Sequence, residues 1–117
     1  MELYVFSDRE RAVLEGLPTP LVIYQYADKR ITPLIISDGF RRLFGLDDPQ
    51  KAYSDLSHEM YSLIHPDDIA RTTDAVFRFV DETGSGDVIY RTRTRHSSDY
   101  RMVHSVGKHV YTEKSVL

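Results

Sequence analysis

Proline at position 66 constrains the middle of this chain more than any other residue. Its ring presets φ near the helical value and removes an amide that a first-turn residue would leave unpaired, so Pro66 suits the first position of a helix. The residue before it, His65, is pushed toward an extended, capping conformation. Asp67 and Asp68 then fall in the first turn, where negative charge meets the positive end of the helix dipole. Beyond them Ile69, Thr73, Val76, Phe77 and Val80 recur at helical spacing, while Arg71, Asp74, Arg78 and Asp81 lie off that stripe. Asp74 and Arg78 stand one turn apart in the favourable acid-then-base order. Thr83-Gly84-Ser85-Gly86 is the stop signal.

Ahead of this helix, Ser7-Asp8-Arg9-Glu10 has the pattern of a capping box and predicts a short helix to about Glu15 that ends at Gly16. Residues 1–16 thus form an N-terminal capping helix ahead of a domain over 17–117. Leu3, Phe6, Val13, Leu14 and Leu17 give it apolar surface that either covers the domain's own sheet or packs against a second copy. Leu21–Tyr26 and Ile31–Ser37, joined at Ala27-Asp28-Lys29-Arg30, read as an antiparallel hairpin, with Pro33 favouring an edge strand. Ser37 or Asp38 caps a short helix that carries Phe40, Leu43 and Phe44 inward and closes at Gly45. Asp47-Asp48-Pro49 starts a further turn or helix through Ala52 and Tyr53, and Met60, Tyr61, Leu63 and Ile64 add core.

After Gly86 the period becomes two. Val88, Tyr90, Thr92 and Thr94 share one face, and Ile89, Arg91, Arg93 and Arg95 the other. His96-Ser97-Ser98-Asp99 turns the chain into a second strand, Tyr100 to Tyr111, with Gly107 as a bulge or bend. At 117 residues and 41% apolar content, the chain can bury one core, so a single domain of α+β class is expected. A formal charge of −3 with mixed signs gives no field of the kind that marks a nucleic-acid binder. No apolar run reaches a membrane span and Met1-Glu2-Leu3 does not open a signal peptide, so no membrane contact and a cytoplasmic location are expected.

The order hairpin, short helices, one longer helix, long hairpin resembles the PAS domain, a sensory module of signalling proteins. Three patterns carry the resemblance: Ser37-x-x-Phe40-x-x-Leu43-x-Gly45, Ile64-His65-Pro66-Asp67-Asp68, and Tyr100-Arg101-Met102-Val103-His104-Ser105. It implies an antiparallel sheet of five strands, the last between the first and fourth and followed by an Asp-x-Thr motif and a helical linker. Only four strands are legible before Leu117, so a module truncated before its last strand is expected. Unpaired first and fourth strands would invite an intermolecular or swapped strand.

Under this resemblance the concave face and surrounding helices enclose a pocket. Its candidate lining is Phe40, Leu43, Met60, Ile64, Val76 and Phe79, with Tyr24, Tyr90, Met102 and His104 for polar or adaptable contacts. The simpler account is that these side chains fill the core. Light-sensing flavin members use a reactive cysteine and this chain has none, which excludes a cysteinyl-flavin adduct. Haem-binding members offer a histidine from the long helix, absent between Asp67 and Glu82, so that haem mode is not supported and only His104 on a strand stays open for it. Flavin members without an adduct often offer tryptophan, and there is none; no cofactor is identified.

His58 and His65 lack a third ligand at metal spacing, and His65 reads as a cap or hydrogen-bonded histidine. Asp47-Asp48 and Asp67-Asp68 read as turn and cap residues rather than an acid–base dyad. Arg91, Arg93, Arg95 and Arg101 form a basic stripe that either meets phosphate or an acidic partner surface, or is a solvated strand face or pairs internally with the acids around it. The expectation is a non-enzymatic sensory or regulatory module of a bacterial signalling protein. It would bind a small ligand or relay a conformational signal to an output domain in the same polypeptide, a diguanylate cyclase or histidine kinase. A homodimer through the N-terminal helix or exposed sheet edges is expected, and a ligand-free homodimerisation module is the alternative. A small α+β enzyme ranks below both, because no titratable pair stands at convincing spacing.

Overall fold

The computed structural model describes residues 3–28, 30–58, 62–81, 85–94, 96–112 and 116–117. Among them the order is α1 (Asp8–Glu15), β1 (Val22–Ala27), β2 (Arg30–Ile36), α2 (Asp38–Phe44), α3 (Pro49–His58), α4 (Pro66–Asp81), β3 (Ser85–Thr92) and β4 (Arg101–Lys108). The residues group into two units, Met1–Met60 with Tyr111–Leu117, and Tyr61–Val110.

The first unit opens on the capping box: the Glu10 amide donates to Ser7 Oγ at 3.1 Å and the Ser7 amide to Glu10 Oε1 at 2.9 Å. The bond from the Ser7 backbone holds the Glu10 carboxyl below its usual range. In the β1–β2 hairpin Ala27 pairs with Arg30 across a tight turn in which Asp28 takes a left-handed φ of 50°, a conformation aspartate tolerates. A register shift between Ile23 and Tyr24 sets Tyr24 opposite Pro33. Ser37, with no exposed surface, ties three segments together. Its Oγ accepts from the Leu21 and Phe40 amides and donates to the Thr19 carbonyl, so one hydroxyl caps α2 and anchors the entry to β1. Gly39 is required beside it, because a Cβ there would lie 2.1 Å from the Pro18 carbonyl oxygen. Gly45 ends α2 in the left-handed region at φ 70°. Asp48 Oδ1 accepts from the Gln50 and Lys51 amides and starts α3 behind Pro49. Ile36, Phe44, Leu46, Ala52 and Leu56 form the core.

In the second unit α4 packs on β3, and β3 pairs with β4 in an unbroken antiparallel register from Ser85↔Lys108 to Thr92↔Arg101. Gly107 is therefore no bulge: it pairs with Gly86. A Cβ on either glycine would come within 2.9 Å of the Phe79 ring, so the pair forms a bare patch on which that ring rests. Ser85 and Gly86 belong to β3 rather than to the helix stop, and Thr83 and Gly84 lie outside the described residues. Phe77, expected on the inward stripe, is 53% exposed, while Asp68 and Thr72 are buried. Seating Phe79 on the glycines turns Phe77, two residues away, roughly 200° around the helix to the outer side. β4 ends at Lys108, short of Tyr111.

The expected single sheet is not what the described residues form. β1–β2 and β3–β4 make two sheets of two strands each. Two hairpins become one sheet only through a strand bonded to both. Within the first unit Val116 forms isolated bridges with Tyr26 of β1 and with Tyr111, the Tyr26 amide donating to its carbonyl at 3.0 Å. The architecture is α+β, with four helices and these two sheets among the described residues.

Candidate functional site

The expected pocket residues fall into separate groups. Tyr24, Phe40 and Leu43 belong to the first unit, where they are half-buried against the apolar core and Phe40 meets Phe44 at 4.5 Å between ring centroids. Ile64, Val76, Phe79 and Tyr90 belong to the second; Ile64 is buried and bridges Thr92, and the Tyr90 hydroxyl lies 3.0 Å from Ser105 Oγ. Met60 lies outside the described residues.

Met102 and His104 do not join Tyr90. The register pairs Tyr90 with Val103 and sets Met102 and His104 opposite Arg91 and Ile89, on the other face of the ribbon. Met102 is 65% exposed, and the exposed His104 Nε2 lies 3.0 Å from Asp87 Oδ2. An imidazole facing outward to a carboxylate is not placed to hold haem in a pocket. The same register breaks the basic stripe: Arg101 pairs with Thr92, on the face opposite Arg91, and Arg95 lies outside the described residues. His58 ends α3 and His65 precedes α4, so they share no helix.

The densest electrostatic cluster of the second unit is built on Asp68, which the sequence suggests only as a cap. Its carboxylate is buried at the start of α4. Oδ2 accepts from the Arg91 backbone amide at 2.8 Å and from its Nε at 2.9 Å, and Oδ1 accepts from its Nη2 at 2.8 Å. Arg71 adds a second cation, 3.5 Å away, and donates to the Ile89 carbonyl. The Arg91 side chain first, then its backbone amide, holds the Asp68 carboxyl far below the usual carboxylate range, and Asp68 raises Arg91 in turn. His65 acts as the expected cap, its Nδ1 accepting from the Asp67 amide at 3.1 Å. The chain before α4 runs beside β3, with the His65 amide on the Arg91 carbonyl and the Arg93 amide on that of Leu63. Within α4 the buried Thr72 Oγ1 has no hydrogen-bond partner among the described residues. The one sequence hint was an acid aligned one turn before Thr72 on an otherwise apolar face; its partner lies 23 positions away.

In the first unit the polar focus is Tyr53 of α3. Its hydroxyl accepts from the Ile36 amide at 3.0 Å and donates to Glu15 Oε2 at 2.8 Å, while Arg11 Nη1 reaches the Leu34 carbonyl at 3.1 Å. Burial, foremost, pushes the Tyr53 hydroxyl pKa up. Side chains from α1 and α3 thereby cover backbone groups of β2 that would otherwise offer a strand edge. Beside them lies a groove of about 340 Å³ lined by Leu3, Tyr4, Val5, Arg11, Pro33, Leu34 and Tyr53. One wall is tied down by the Tyr4 amide, which donates to Oε1 of the buried Gln25 at 2.7 Å. Neither Arg11 nor Tyr53 carries a local sequence signal, because each acts on a segment distant in the chain.

Among the described residues no group of three or more His, Asp or Glu side chains could hold a metal, and no helix is long and apolar enough to cross a membrane. No curated protein and no solved structure matches the chain. The family model described as PAS fold matches residues 33–117, well over half of the sequence, from within β2 through β4 to Leu117. The match takes in both Ser37-capped α2 and the Asp68 cluster; the chain belongs to the PAS-fold family and is a sensory or regulatory domain of that kind.

Proposed function

We propose that this PAS domain is the cytoplasmic input module of a bacterial signalling protein, relaying a ligand-linked conformational signal to an output domain in the same polypeptide, a diguanylate cyclase or a histidine kinase. The observation that carries this reading is the match over residues 33–117 together with the His65-Pro66-Asp67-Asp68 turn it contains. A relay needs an element with two arrangements that an input can bias. The Asp68–Arg91 cluster is a candidate, since three bonds to one carboxylate join the start of α4 to the backbone amide and side chain of Arg91 on β3.

A second reading, a ligand-free homodimerisation module, is favoured by exposed apolar side chains at the N-terminus, where Val5 is 82% and Val13 61% exposed. Native mass spectrometry of freshly purified protein separates the two. A bound small molecule supports sensing, an unliganded dimer supports assembly, and a bare monomer overturns both.

A further inference from the structure

We propose that the groove between the N-terminal segment and β2 binds a small monocarboxylate with an apolar body, gripped at its charged end by Arg11. The volume of about 340 Å³ falls at the low end of the ~300–1,000 Å³ typical of small-molecule sites. Leu3, Val5, Pro33 and Leu34 make its walls apolar, which fits a hydrocarbon or aromatic body and disfavours a sugar or a free phosphate.

The charge at one end selects the head group. Every described side-chain hydrogen bond of Arg11 leaves from Nη1, to the Leu34 carbonyl and the Tyr53 hydroxyl. Among the described residues its Nε and Nη2 make none, so one edge of the planar guanidinium fork is unspent. That edge matches the two oxygens of a carboxylate. Glu15 does not consume it: Glu15 Oε1 stands 3.6 Å from Nη1, and Oε2 is occupied by the Tyr53 hydroxyl. The groove is built rather than incidental, because the Tyr4–Gln25 bond holds one wall and the Arg11–Leu34 bond fixes the guanidinium against the other. The assignment deepens the sensory reading by naming a ligand class and a place for it.

Titrating the protein with octanoate while following its ¹H–¹⁵N spectrum tests the assignment. Saturable shifts centred on the amides of Tyr4, Leu34 and Tyr53 are expected, with octan-1-ol, the same body without the charge, binding at least about tenfold more weakly. Arg11→Gln should reduce octanoate binding to the level of octanol. Because Arg11 also covers the β2 edge, a second variant, Val5→Glu, tests the charge without touching that bond. Val5 is 82% exposed, so folding is preserved; relative to the isosteric Val5→Gln, which changes the wall equally without the charge, Val5→Glu should weaken octanoate several-fold and bind octanol alike. Equal affinity for acid and alcohol, insensitivity to Val5→Glu, or no saturation would overturn the proposal. Saturable shifts centred on other residues would overturn this site while leaving the sensory reading standing.

Discussion

The two units are held by different forces. In the first, buried apolar side chains dominate: Leu34, Ile35, Ile36, Phe44, Leu46, Ala52 and Leu56. In the second, Ile64 is the one hydrophobic residue among those described that reaches the same burial, while Asp68, Thr72 and Thr92 are buried polar groups. The first unit depends on a non-directional force proportional to area. The second depends on a few directional bonds, one set of them charge-assisted. The charged centre gathers several bonds on one carboxylate, so a single substitution or protonation removes them together, whereas the packed core spreads its stabilisation over many side chains.

Removing core volume from the first unit should have the largest effect. Leu56→Ala is expected to cost about 2–5 kcal/mol, read as a lower urea midpoint whose shift is the same at pH 7 and pH 5. A pH-dependent shift would break the contrast. Next comes Asp68→Asn, which removes the charge shared by the Arg91 side chain and backbone. Because the folded carboxyl sits below its unfolded value of about 3.9, its contribution is complete above that value and is lost progressively as pH falls beneath it. The wild type should therefore lose midpoint below about pH 4, and the variant should start lower and lack this share of the decline. A parallel pH response in both proteins would remove Asp68 from the account.

Smaller again is Gly107→Val, expected to cost about 1–3 kcal/mol by overpacking against Phe79 and to be partly restored by Phe79→Leu. Failure of that rescue would show that the glycine serves something other than the ring. The smallest effect belongs to Ser7→Ala, about 0.5–2 kcal/mol from the lost cap, confined in amide exchange to α1.

What was readable in advance divides along the reach of each interaction. The Ser7–Glu10 box, the Ser37 cap, the Gly45 stop, the turn at Asp28 and the helix start at Pro66 each involve residues a few positions apart, and each stands where the sequence placed it. The pocket list fared differently. Alternation along β3 from Val88 to Thr92 is legible in the sequence, but which residues of β4 share a face with Tyr90 is not: only the register against β3 sets Met102 and His104 on the other face. Phe77 is exposed for a related reason: the stripe fixes which residues share a side of α4, not which side is turned to the ribbon.

Sequence alone determined the class and order of elements and the family, because caps, stops and hydrophobic periods are short-range and survive in any tertiary setting. The tertiary structure decided the roles of Asp68, Arg11 and Tyr53, the seat of Phe79 on two glycines, and the division into two ribbons. Each of these joins groups that are far apart along the chain, and a polar or bare position shows its purpose only when the partner that completes it has been brought alongside.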